Sequence, residues 1–266
     1  MKRILFISAI ICSVIFCLTA CMKNRGKPLD GNGILKEQDR GVMNFEAIDA
    51  RGAFDVIISE ISDAPVKISG DENLIDFIET NVKGGVLKIK FKHESYSSYS
   101  SKTGIKITIP NNGQIKSIKT YGSSNLIIEG TLVADNLSIS GNGSSKLNGN
   151  IKAENCRINC SGSTDFNMNL ETMTCIMKFS GSTSCTVGGS AEECRMTVTG
   201  SSDFKGYDFI VNKLTCTVFG SSGLQVTCNE ELNIKTFGSS DVYYRGTATK
   251  INKSTAGSSN IIQVNI

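Results

Sequence analysis

The chain has 266 residues, with 28 Lys and Arg against 25 Asp and Glu, no Trp, three Pro and 26 Gly. A formal charge of +3 with no basic stripe argues against nucleic acid as a partner. Abundant Val, Ile and Thr, with no long segment of 3.6-residue apolar period, exclude a helical bundle and read as all-β.

Lys2 and Arg3 open the chain, and Ile4 to Leu18 is an apolar run of signal-peptide length. It is short for a membrane span, and no later stretch is long and apolar enough for one. The run closes on Leu18-Thr19-Ala20-Cys21, which resembles a bacterial lipobox. That resemblance implies a signal peptide over 1–20 and lipid on Cys21. The acyl chains would hold the protein to the membrane at about 0.8 kcal/mol per buried CH₂. The expected location is the outer membrane or cell surface, with a periplasm-facing anchor as the other orientation. Loss of residues 1–20 leaves 246 residues and 26 basic against 25 acidic side chains, a net charge of +1. The lipidated Cys and the polar segment after it, 21–44, read as a flexible tether.

Strands begin at Phe45. Phe45–Ile48, Ala53–Ile58, Val66–Ile68, Val86–Phe91 and Ile105–Ile109 carry the pattern, and Asp71–Ile78 is the one expected helix, with Asp71 as N-cap. Ser95–Thr103 is a polar loop. Residues 45–114 are expected to form an N-terminal β portion and the cap that a solenoid end needs.

From 115 to 266 one motif recurs. Gly122, Gly143, Gly162, Gly181, Gly200, Gly220, Gly238 and Gly257 are each followed by Ser-Ser or Ser-Thr, at steps of 21, 19, 19, 19, 20, 18 and 19. Such a period means stacked units that cannot bury their apolar faces alone. Positions four before and four after each Gly are almost all apolar, as at Ile158 and Phe166 or Met196 and Phe204. Alternation on both sides of a turn gives strand, corner, strand. Stacked in one direction, coils of about 19 residues form a parallel β-helix. It is expected to be right-handed, as parallel crossovers are.

Cys156, Cys175 and Cys194 each stand six residues before a repeat Gly and should stack as a buried thiol ladder. Parallel Cβ vectors aim poorly for disulfides. With no CxxC pair and His93 as the single His, no metal site is expected. No cofactor fingerprint appears either.

The order of the motifs carries a family resemblance. Phe45-x-x-Ile48, Gly52-Ala-Phe-Asp-Val56, Val66-x-Ile-x-Gly-Asp-Glu-Asn-Leu-Ile75, Gly85-x-Leu-x-Ile89 and Ile105-x-Ile-x-Ile-Pro110, followed by Gly-Ser-Ser repeats, resemble the head GIN domain of auto-transporter adhesins. The resemblance covers about 45–266. It implies a right-handed parallel β-helix, a Bacteroidetes-type lipoprotein and an adhesin role, and it supplies no catalytic residues.

Enzyme chemistry on a β-helix would need clustered acids on an outer face. Asp165, Asp203 and Asp241 share one column, three residues after the repeat Gly, in alternate coils. Two strand spacings separate them by about 9.6 Å. That is too far to share one Ca²⁺ and at the edge of the range for paired glycosidase acids. The simpler expectation is that they bond the turn backbone. Two function classes remain. One is a non-enzymatic, adhesin-like or scaffold module that binds glycan or envelope protein, with Tyr96, Tyr99, Tyr121, Tyr207, Tyr243 and Tyr244 as stacking platforms. The other is a polysaccharide lyase or glycosidase. The strand at Asn260–Ile266 invites a homo-oligomer unless a partner covers it or side chains blunt it.

Overall fold

The computed structural model describes residues 27–41, 44–92 and 96–264. The signal segment, Cys21 and His93 lie outside them. In chain order the elements are β1 (Lys27–Asp30), β2 (Leu35–Asp39), β3 (Ala47–Arg51), β4 (Asp55–Ser59), β5 (Lys67–Asp71), α1 (Glu72–Ile75), β6 (Ile78–Lys83), β7 (Val86–Phe91), β8 (Tyr96–Ser100) and β9 (Lys106–Pro110). The repeat region follows as β10 (Ser117–Gly122), β11 (Asn125–Gly200), β12 (Asp203–Gly220), β13 (Gly223–Gly238), β14 (Asp241–Arg245), β15 (Lys250–Gly257) and β16 (Asn260–Gln263).

The architecture is the parallel β-helix that the period demands. Gly122 pairs with Gly143, Gly200 with Gly220, Gly220 with Gly238 and Gly238 with Gly257, all in parallel ladders. β11 keeps strand pairing through the corners at Gly143, Gly162 and Gly181. The inward columns fill the interior. Phe166, Phe179 and Phe204 are each at most 2% exposed. The ring of Phe179 lies 5.7 Å from that of Phe166 and 6.0 Å from that of Phe204. Truncating such a ring typically costs about 3–5 kcal/mol.

Residues 45–114 do more than cap. β3 lies between β7 and β10, and β4 between β9 and β11, all parallel. The coil β3–β4 is therefore inserted between the coil β7–β9 and the first repeat coil. Gly52 occupies the corner column, with Asp55 opposite Asn125 and Val56 opposite Leu126. The end is then closed by antiparallel strands: β6 on β7, and β5 on β9.

Three expectations for this half change. The tether does not extend to residue 44, because β1 pairs with β8 and β2 pairs antiparallel with β5. The polar loop Ser95–Thr103 contains β8, which gains order from that long-range pairing. The expected helix shrinks to four residues, and Asp71 makes no side-chain cap bond. Its buried carboxylate instead accepts bonds from Ser101 Oγ at 2.5 Å and from the backbone N–H groups of Gly33, Lys102 and Thr103 at 2.7, 2.9 and 3.3 Å. Burial raises this carboxyl, but those four bonds more than offset it and hold its pKa at about 2.

Candidate binding faces

The Gly-Ser-Ser/Thr corner is architectural. At Gly181 φ is +107°, a region L side chains rarely adopt, and a Cβ there would overlap the carbonyl oxygen of Gly162. The same overlap recurs at Gly143, Gly162, Gly200 and Gly220, so the column glycines let neighbouring coils touch backbone to backbone. The second hydroxyl of each corner points inward. Ser124, Ser145, Thr164, Thr183, Ser202, Ser222 and Ser240 are all buried. Ser222 Oγ donates to Gly200 O at 3.3 Å and Ser240 Oγ to Gly220 O at 3.1 Å. The N–H of Ser222 donates in turn to Ser240 Oγ at 3.4 Å. The hydroxyls of Ser124, Ser222 and Ser240 thus staple their coils to the preceding ones. Ser145 Oγ and Thr164 Oγ1 are buried with no such partner.

The thiols pack inward. Cys156, Cys175 and Cys194, with Cys160, Cys185, Cys216 and Cys228, are free and buried. Burial raises the pKa of Cys156, Cys160 and Cys216 to about 12. The contact with Cys175, together with burial, pushes Cys194 well up. Such thiols hold little thiolate at neutral pH.

The acidic column does not bond turn backbone as expected. The inward hydroxyls do that, and the acids stand outside. Asp165 lies 3.7 Å from Lys146 Nζ, Asp203 lies 3.9 Å from Lys205 Nζ, and Asp241 accepts from Asn260 Nδ2 at 2.8 Å. Ser184 pairs with Asp203 on one side and Gly223 separates Asp203 from Asp241 on the other. The acids are therefore two coils apart. Exposed ion pairs of this kind contribute little to stability. Among the described residues, no group of three or more His, Cys, Asp and Glu could hold a metal ion.

Several expected tyrosine platforms are occupied. Tyr244 is only 2% exposed, and its hydroxyl donates to Gln263 Oε1 at 3.1 Å. Tyr99 stacks on Phe91 at 4.3 Å and accepts from the N–H of Ala53 at 2.7 Å. Arg245 covers one face of Tyr207 at 3.7 Å, and Arg51 lies over Tyr121 at 4.9 Å. The side chain of Tyr96 lies outside the described set. The open aromatic feature is instead Phe219 and Phe237. They sit in the outward row just before the corner glycine, paired rung to rung between Thr199 and Ala256. Their rings stack at 4.9 Å and 10°, and they remain 41% and 40% exposed. Sequence parity alone places this row outward, so an apolar residue in it was a readable signal.

These features define a parallel β-solenoid whose corners are structural and whose outer rows carry the exposed side chains. The family described as "Putative auto-transporter adhesin, head GIN domain" matches residues 44–248, and the chain belongs to it. A "Putative lipid binding protein" from Parabacteroides distasonis is similar at 25% identity and TM-score 0.81, over 90% of this chain and 100% of that one. A "putative adhesin" from Parabacteroides merdae shares the fold at 20% identity and TM-score 0.78, and another from Parabacteroides distasonis at 23% and 0.78. Each covers 90% of this chain and 100% of its own. No curated protein matches.

Proposed function

We propose that the chain is a lipid-anchored envelope protein whose β-helix is a non-enzymatic, adhesin-like module for glycan or protein partners. The observation that carries this reading is the Phe219–Phe237 pair. Two large rings held flat against each other in solvent are a ready contact for a partner. Family membership supports the adhesin role. The lipid on Cys21 and the outer-membrane or cell-surface location, with a periplasm-facing anchor as the other orientation, rest on the sequence pattern Leu18–Cys21.

The test is retention of beads coated with the full chain on polysaccharide and protein surfaces. The double variant Phe219→Ser, Phe237→Ser should lose retention while keeping its unfolding temperature within a few degrees, since both rings are partly exposed. Turnover of a polysaccharide that Asp203→Asn abolishes would overturn the non-enzymatic reading. Labelling with a fatty-acid analogue should disappear in Cys21→Ser, and labelling that persists would remove the lipid anchor.

A further inference from the structure

Amide side chains on most of the solenoid surface pair up the stack. Asn155 donates to Asn136 at 3.1 Å, Asn252 to Asn233 at 2.8 Å, Asn212 to Glu192 at 2.6 Å and Asn125 to Asp55 at 2.6 Å. Among the described residues Asn159, Gln225 and Asn229 are scattered exceptions, but one place gathers three unpartnered amides on adjacent coils. Asn148-Gly-Asn150 and, one coil on, Asn167-Met-Asn169 line a surface groove, with Gly188 and Asp208 on the following coils. Among the described residues, Asn148, Asn167 and Asn169 have no hydrogen-bond partner, and Asn150 uses one amide proton on Gly130 O at 3.1 Å. Asn150, Asn167 and Asn169 are exposed and Asn148 is half-buried.

We propose that this groove binds a neutral saccharide chain, an assignment that rests on the adhesin-like reading and names its ligand class. The geometry is a two-by-two grid of amides. Its members recur at about 4.8 Å between coils and about 6.6 Å along a strand. Asn148, Asn167 and Asn169 each offer two donors and an acceptor, and Asn150 one donor and an acceptor, which matches hydroxyls that each give and take one bond. Rigid strands hold the grid in place, so little side-chain and backbone ordering opposes binding. Gly188 leaves the floor open. A Cβ there would come within 3.3 Å of Asn169 Oδ1 and 3.9 Å of Asp208 Cβ.

Charge and polarity narrow the class. The groove's one ionisable lining group is the Asp208 carboxylate. It accepts from hydroxyls and repels a uronate or sulfate. Its apolar lining residues, Met168 and Val187, are 2% and 1% exposed. A protein partner would find none of the aromatic or arginine anchors on which interface energy usually concentrates.

The test uses the full chain in detergent and three neutral probes, cellohexaose, xylohexaose and mannohexaose, beside the acidic hexagalacturonate. Titration calorimetry should show binding of at least one neutral probe. Asn167→Ala with Asn169→Ala should weaken it roughly ten- to thirtyfold, as expected for two lost hydrogen bonds. Gly188→Gln, which fills the floor, should weaken it as much. Asn252→Ala, an amide pair elsewhere, should leave it unchanged. The groove amides are unpartnered, so their variants should unfold at the parent temperature. Neutral binding that survives both groove variants would overturn the site, and tighter binding of hexagalacturonate would overturn the ligand class. If no neutral probe binds while the bead assay still shows Phe219-dependent adhesion, the saccharide proposal fails and the adhesin-like reading stands.

Discussion

Gly181→Val isolates the corner mechanism. Valine would have to hold φ near the observed +107°, where a β-branched residue costs about 1–3 kcal/mol. Its Cβ would also overlap the carbonyl oxygen of Gly162. Separating two coils that are packed on both sides typically adds about 1–3 kcal/mol. The combined loss is about 2–6 kcal/mol, or roughly 5–20 °C in unfolding temperature for a domain of this size. Ser182 sits next in sequence but is exposed, so Ser182→Ala should stay within about 0.5 kcal/mol. Thr183→Val should fall between them. It removes the acceptor of the 3.3 Å bond from Ser202 Oγ, at a cost of about 1 kcal/mol. The assay is thermal unfolding followed by circular dichroism. If Gly181→Val and Ser182→Ala melt together, the corner account is wrong.

Three further outcomes are expected. Asp71 has its carboxyl held at about 2 against an ordinary 3.8, so its stabilisation is complete above about pH 4 and fades as pH falls towards 2. The effect is at most about 2.5 kcal/mol, and Asp71→Asn should flatten the acid limb of the stability curve; an unchanged limb would discard the tie. Cys156, Cys175 and Cys194 should resist a disulfide reagent at neutral pH until denaturant is added, and fast labelling of the native protein would show that the ladder is open. The last coil places Lys253 in an inward column, its Nζ 4.4 Å from the Tyr244 ring. Light scattering should therefore report a monomer, with Lys253→Val driving association through the uncovered end; a wild-type oligomer would contradict this blunting.

The repeat was legible because every coil faces the same two constraints, a backbone contact at the corner and alternation on either side. Residues such as Ile158, Phe166 and Phe204 could be assigned inward by counting from a glycine. Parity also carried information that residue type obscured. Tyr244 lies six after Gly238 and is buried, whereas Phe219 lies one before Gly220 and is exposed. Chemical expectation pointed the other way for both. What local pattern could not reveal was pairing at long range. β1 and β2 look like a polar linker because their partners, β8 and β5, come some 30 to 70 residues later. Asp71 looks like a helix cap because the four donors it serves lie in segments 30 to 38 residues away. The Asn groove has a local signature, Asn-x-Asn in successive coils. Its meaning appears only beside the paired amides elsewhere.

The inserted position of β3–β4 bears on how the chain acquires its shape. Ala47 pairs with Val86 on one side and with Ser117 on the other. A growing chain therefore holds its first coil with open edges until some 70 further residues have appeared. Non-local pairings of this span slow folding, and unpaired edges are where misassembly starts. The repeat coils differ, since each can lay itself on the one before within about twenty residues. Commitment should thus be a single late closure at the amino-terminal end, followed by rapid zippering towards the carboxyl end. Removing the last coils should shorten the zipper, whereas removing 106–122 should prevent it from starting.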